Sequence, residues 1–275
     1  MTSGDRSGGY VLGDSRSELE RLERQARFYA PGTEALFKAA RIAPGQCVLD
    51  IGSGAGDVSM LAARIVGPEG RVVGVERSPQ AVETARLRAA AAGLTQCRFE
   101  VAEVDAFETT ERFDAVVGRL ILMYMPDPAV TLRKLLRFLA PGGVVAFQEL
   151  YFSGARGYPQ SALMDTCERA IRAAFAHVHG DLDMGMRMFE TFCKAGLPDP
   201  KLINWAPAVT RAEPEGYYIM ASLMRTLTPM LVQAGLVRED EIGIDTLERR
   251  LIEEVSDKGH IYIWSPLVGA WSRKP

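Results

Sequence analysis

Residues 48–57 read Val-Leu-Asp-Ile-Gly-Ser-Gly-Ala-Gly-Asp. An apolar strand ends in this stretch at Asp50 and runs into a loop carrying Gly52, Gly54 and Gly56. A helix-like run, Val58 to Ile65, follows at once. Strand, glycine loop and helix in that order bring bare backbone close to a nucleotide-like ligand in an α/β protein. The spacing is G-x-G-x-G, whereas the dinucleotide fingerprint is G-x-G-x-x-G/A, whose third position is Asp57 here. That mismatch points away from a pyrophosphate and towards a ligand without phosphates.

The flanking pattern extends the reading. Apolar runs at 47–51, 71–75, 98–102, 113–117 and 144–147 alternate with helical segments. Ser78-Pro79 and Asp127-Pro128 have the form of a capping side chain followed by a first-turn proline. Gly93 is a left-handed stop, and the second of these helices is expected to run to Leu139. Near-continuous apolar strands joined by helices predict a parallel sheet covered on both faces. The expected fold class is α/β: a doubly wound, mostly parallel seven-stranded sheet with an added helical lid. Upstream, a helix is expected from Ser17, with Glu20 completing a capping box and Pro31 ending it, and a second over 33–41. Residues 1–14 are rich in Gly and Ser and are expected to be mobile.

Beyond residue 150 helical spacing covers 161–178, 184–195, 215–234 and 239–256, with a strand at 201–205. One of 261–264 and 267–271 is expected to be a last, antiparallel strand. The extra helices are assigned to a lid over the carboxyl ends of the strands. The expected organisation is an N-terminal helical cap (1–45), an α/β core that binds the cofactor (46–150), and the lid with strands completing the sheet (151–275).

Open α/β sheets bind ligands at the carboxyl ends of their strands. There the glycine loop leaves backbone amides and a helix N-terminus for a carboxylate. Glu76 ends the second strand, at about the 20-residue spacing expected of a ribose-binding acid, with Arg77 beside it. Ala102-Glu103-Val104-Asp105 ends the third: an acid to accept from an adenine amino group, and the Val104 amide to meet the ring. Glu103 and Asp105 compete for that role, and Glu103 is favoured. Gly118-Arg119 follows the fourth strand. S-adenosylmethionine (SAM) is a ligand that suits this set.

These motifs together resemble those of class I SAM-dependent methyltransferases. The 48–56 segment is similar to the family's first motif, and Val-Val-Gly-Val-Glu (72–76) to its ribose-binding strand end. Phe-Asp-Ala-Val-Val-Gly-Arg (113–119) and Leu-Ala-Pro-Gly-Gly-Val-Val (139–145) resemble its fourth-strand motif and its turn into the fifth. The resemblance covers roughly residues 40–150 and implies a Rossmann-like methyltransferase fold. It implies SAM contacts at Asp50, Gly52, Ser53, Gly54, Gly56, Glu76, Arg77, Glu103, Val104, Gly118 and Arg119. A first helix that closes over SAM adds Gln25, with Tyr10 and Tyr29 as weaker candidates. The usual Gly-Asp after strand three is Ala102-Glu103 here.

The methyl acceptor is less legible. Glu149 ends the fifth strand and is a candidate base or anchor; Tyr124 and His177 are further catalytic candidates, with His179 and His260 behind them. A lid carrying Met184, Met186, Met188, Phe189, Tyr217, Tyr218, Met220 and Met224 suits either helix packing or an adaptable apolar pocket. A net charge of −3 offers no basic field for a phosphate backbone. The expected acceptor is a hydrophobic small molecule of aromatic, polyketide or terpenoid type, methylated on O, N or C, as in secondary metabolism. No nucleic acid and no membrane are expected as partners, and a homo-oligomer is plausible. Metal-ligand spacing is absent, and no run of 18 uncharged apolar residues or signal-peptide core is present. Cys47, Cys97, Cys167 and Cys193 read as reduced thiols in a cytoplasmic protein. The alternatives are a nicotinamide-dependent oxidoreductase and a non-catalytic SAM-binding module.

Overall fold

The computed structural model describes residues 16–197 and 199–274. Tyr10 and the segment 1–14 lie outside the described residues, as do the side chains of Ser17 and Glu20. The chain runs α1 (Arg16–Ala40), β1 (Cys47–Ile51), α2 (Asp57–Val66), β2 (Arg71–Glu76), α3 (Pro79–Ala91), β3 (Cys97–Val101) and β4 (Phe113–Arg119). It continues through α4 (Pro128–Leu135), β5 (Leu139–Leu150), β6 (Arg156–Tyr158), α5 (Ala162–His177), α6 (Met184–Lys194), β7 (Lys201–Trp205) and β8 (Ala208–Val209). Helices α7 (Glu215–Gln233), α8 (Glu239–Ile242) and α9 (Ile244–Lys258) precede β9 (Ile261–Ile263) and β10 (Leu267–Arg273).

Seven strands form one sheet in the order β3-β2-β1-β4-β5-β10-β7. The first five are parallel, and β10 is antiparallel to both of its neighbours. Strand order reverses between β1 and β4, so a crevice opens at their carboxyl ends. Alternate residues serve opposite faces. Val48, Val72, Ala115, Val117 and Ala146 pack under α1 and α2 with Leu36, Phe37 and Leu61. Leu49, Ile51, Val73, Val75, Val116 and Phe147 face α4 and α6 in the larger core. Local signals place the helix starts: Ser78, Asp127 and Ser161 each accept a hydrogen bond from the amide three residues on.

Three expectations are corrected. Pro31 does not end the first helix; α1 runs continuously through it. Aromatic packing around the proline holds the helix together despite the missing N–H: Trp264 Nε1 donates to Tyr29 Oη at 3.0 Å, and Trp205 lies so close to Gly32 that a Cβ there would come within 2.7 Å of it. The helix begun at Asp127 stops at Leu135, and β5 starts at Leu139, because a single 3₁₀ turn bridges them. Helix α6, expected in the lid, packs on β10 and β5 and so covers a face of the sheet.

The remaining insertions follow from strand direction. Residues 151–182 leave from the carboxyl end of β5, and 206–266 leave from that of β7. The latter return at Leu267, which pairs with both Leu150 and Trp205. Helices α5, α7 and α9, with a small β6-β9-β8 antiparallel sheet, thus gather at the end of the sheet that carries the glycine loop.

Candidate active site

The glycine loop is pinned before it turns. The Gly52 and Ser53 amides both donate to Val75 O, at 2.9 and 3.0 Å, which fastens the loop to the tip of β2. Gly52, Gly54 and Gly56 then take φ of 69°, 51° and 88°, a region that side-chain-bearing residues enter at a cost. A Cβ on Gly52 would lie 2.7 Å from the Ile121 side chain, which comes from the turn after β4. The Ser53 hydroxyl is buried and has no partner.

Glu76 stands at the tip of β2, almost buried. Its Oε2 accepts from the Gly54 amide at 3.2 Å and its Oε1 from the Ser78 amide at 2.9 Å. A carboxylate offers about four lone-pair positions. Two remain for outside donors, so acid and glycine loop are held as one unit. Arg77 next to it is exposed.

Asp50 is a tether between elements. It is fully buried, and its Oδ2 accepts from the Ser59 hydroxyl of α2 at 2.5 Å. Burial pushes its carboxyl up to about 7 against the pull of that hydrogen bond. The other oxygen has no partner. Asp57 opens α2, where its carboxylate meets Arg88 Nη1 at 2.7 Å and Arg119 Nη2 at 3.7 Å. An ion-paired carboxylate thus occupies the first turn of α2, where a pyrophosphate would have to bind.

Arg119 ends β4 with its side chain 7% exposed. It lies over the Tyr29 ring at 5.5 Å and donates to Thr33 Oγ1 at 3.1 Å, which itself lies 2.9 Å from Gln148 Oε1. This joins α1 to the tips of β4 and β5. Thr33 and Gln148 carry no local sequence signal, since 115 residues separate them. A groove of about 570 Å³ between α1, α2 and α3 reaches Asp57 and Arg119 from outside.

Of the two acids after β3, Asp105 pairs with Lys134 of α4 at 2.8 Å. Glu103 is exposed, and Val104 is half-buried against the main core. Both acids are exposed, and they differ in that Asp105 is held towards α4 by its ion pair. Gly118 is buried under Phe147, whose ring leaves no room for a side chain there. Gln25 is half-buried on α1.

The catalytic candidates do not converge on one point. Glu149 is completely buried at the tip of β5, and its Oε1 accepts from the Ile121 and Leu122 amides at 3.0 and 2.7 Å. Tyr124 stacks on Phe175 of α5 at 6.0 Å, roughly half-exposed. His177 and His179 are exposed at the end of α5. His260 is buried in the lid, 2.8 Å from the Tyr217 hydroxyl through Nδ1. Most of the large apolar side chains expected in the lid serve packing: Met184 and Met188 of α6, and Tyr217, Met220 and Met224 of α7, are buried in the main core. Met186 and Phe189 are exposed on α6, and Tyr218 lies under Arg24 at 5.1 Å. Among the described residues no acid, His and Cys cluster could hold a metal, and no helix is long and apolar enough to cross a membrane. All four cysteines are free.

The donor set fits SAM. An acid with two lone pairs to spare, bonded to the glycine loop, suits a ligand with a diol and no phosphate. Residues 42–203 match the profile of the methyltransferase domain family. The arsenite methyltransferase of Halobacterium salinarum is 32% identical over 127 residues, 46% of this chain and 32% of that protein. The aklanonic acid methyltransferase DauC of a Streptomyces strain is 33% identical over 140 residues, 50% of this chain and 62% of that protein. The Haemonchus contortus phosphoethanolamine N-methyltransferase 2 in complex with SAM shares the fold, with a TM-score of 0.57 at 18% identity over 94% of this chain and 58% of that one. The chain thus spans less than two thirds of each of these proteins.

Proposed function

This chain belongs to the methyltransferase domain family, and on that premise we propose that it is a SAM-dependent enzyme that methylates a hydrophobic small molecule beneath the lid. SAM supplies a methyl group already activated on a sulfonium. The protein's part is then to hold the two reactants in line and exclude water. Glu76 accepts the ribose hydroxyls. The 52–56 backbone leaves space for the methionine portion, and Ser53 Oγ offers it a hydroxyl. Glu103 takes the adenine amino group and the Val104 amide the ring. Gly118 and Arg119 flank the sulfonium end, under α1 with Gln25.

The observation that carries this reading is the Gly54 N–H to Glu76 Oε2 bond, 3.2 Å long. It brings the ribose acceptor and the glycine loop into a single cradle. The choice of a small molecule over a nucleic acid rests on the net charge of −3 and on the names of relatives. They are named for arsenite, trans-aconitate and aklanonic acid. Choice of acceptor lies with the lid, whose 206–266 segment follows the matched region.

Isothermal titration tests the cofactor half. SAM and S-adenosylhomocysteine are expected to bind and NADH is not, because the Asp57 side chain stands where a dinucleotide loop has its third glycine. No heat with millimolar SAM ends this reading, and NADH binding in its place revives the oxidoreductase. Mass spectrometry across candidate metabolites tests the acceptor half. A gain of one CH₂ on an apolar compound supports it; transfer only to highly charged polymers contradicts it.

A further inference from the structure

We propose that Glu149 is a positioning residue for the cofactor: by capturing the Ile121 and Leu122 amide hydrogens it seats the Ile121 side chain against Gly52 and thereby sets SAM affinity. This rests on the reading that the glycine loop holds SAM.

The turn after β4 is held in an unfavourable shape. Leu120 takes φ of 56°, a left-handed conformation that costs a leucine about 1–2 kcal/mol. Such a residue persists only where its surroundings over-determine it. Two contacts from β5 do so. The Leu120 amide donates to Gln148 O at 2.9 Å, and the next two amides converge on Glu149 Oε1. The 3₁₀ turn Leu122–Tyr124 begins here with no local side-chain cap. Glu149 supplies the missing acceptor from a strand 27 residues away.

The product of this arrangement is the placement of one side chain. Ile121 Cδ1 lies 2.7 Å from where a Gly52 Cβ would be, and Ile121 Cγ2 lies 3.0 Å from where a Gly118 Cβ would be. Ile121 therefore spans the tips of β1 and β4, the two strands between which the crevice opens. It is β-branched and stiff at χ1, so its backbone decides where it points. The lid reaches the same turn, since the Asp181 amide donates to Met123 O at 2.9 Å.

Glu149 is poorly suited to be a general base. It is entirely buried, and its second oxygen meets no partner. Burial raises its carboxyl to about 8 despite the amides. Burial thus favours the neutral form, in which the carbonyl oxygen still accepts both amides. A neutral amide can do the same.

The test compares Glu149→Gln, Glu149→Leu and Ile121→Ala in the full chain, by SAM titration and by hydrogen exchange of the 120–124 amides without ligand. Glu149→Gln keeps the acceptor and is expected to bind SAM within about threefold of wild type, whereas Glu149→Leu frees both amides and is expected to weaken SAM at least about tenfold. Exchange in the turn should quicken in the Leu variant alone of these two. Ile121→Ala should weaken SAM with the turn still protected, and adding it to Glu149→Leu should cost little more. SAM binding equal in Gln and Leu variants overturns the proposal. So does unchanged exchange in the Leu variant, or a Gln variant as damaged as the Leu one, which would assign the carboxylate charge the role. If Glu149→Leu does not fold, Glu149→Gln and Ile121→Ala decide: intact SAM affinity in Ile121→Ala refutes the seat. Failure of wild type to bind SAM instead strikes the functional reading, and the exchange data still judge the capture of the turn.

Discussion

Gly52→Ala separates the two reasons for a glycine at the head of the loop. The first is conformational. At φ of 69° an alanine pays about 1–2 kcal/mol. The second is space. The new Cβ would meet Ile121 Cδ1 and Cγ1 at 2.7 Å and its Cβ at 3.0 Å, against a comfortable separation of about 3.5–4.0 Å. Ile121 must then move by roughly 1 Å while Glu149 holds its backbone, an overpacking cost of about 1–3 kcal/mol. The total is about 2–5 kcal/mol. Gly93→Ala is the control: its φ is 68°, and a Cβ there meets nothing within 4 Å. The entropy lost by the unfolded chain is the same in both variants and cancels. Urea unfolding is expected to show Gly52→Ala less stable than Gly93→Ala by the overpacking amount. SAM titration is expected to weaken at least about tenfold, or 1.4 kcal/mol, in the first variant and stay unchanged in the second. Equal stability losses with full SAM affinity in both would refute the close approach of Ile121 to the loop.

Glu76→Ala should weaken SAM by about 1–3 kcal/mol, the range for a lost charged hydrogen bond, and should also lower stability, because the Gly54 and Ser78 amides lose their acceptor; titration at wild-type strength would place the ribose elsewhere. The pH dependence of stability should carry the mark of Asp50 and Glu149, whose folded carboxyls are raised to about 7 and about 8. Between about pH 4 and those values the folded chain holds protons that the unfolded chain releases, so their contribution is full at low pH and is lost as pH rises. Urea unfolding across that range should therefore show a smaller decline in Glu149→Gln than in wild type, and parallel curves would deny the buried neutral carboxyl.

Much of the core was legible because its signals are local. The strand-loop-helix at 47–66, the Ser78 and Asp127 caps and the acid ending β2 each occupy a few consecutive residues. Features set by distant contacts were not. Pro31 sits inside a helix because Trp205 and Trp264, far along the chain, brace it. Methionines at helical spacing suited core and pocket alike, and Met184, Met188, Met220 and Met224 proved to be core. Glu149 could be placed at the rim from its strand, but its two amide partners depend on how β4 turns after Arg119. The Thr33–Gln148–Arg119 link had no sequence signal, since its members come from α1, β5 and β4.

A crystal structure with S-adenosylhomocysteine tests the central claim most directly. Both ribose hydroxyls are expected within hydrogen-bonding distance of Glu76, with the amino-acid portion along the 52–56 backbone. An adenosyl group bound away from that cradle, with Glu76 still engaged only by Gly54 and Ser78, would contradict it.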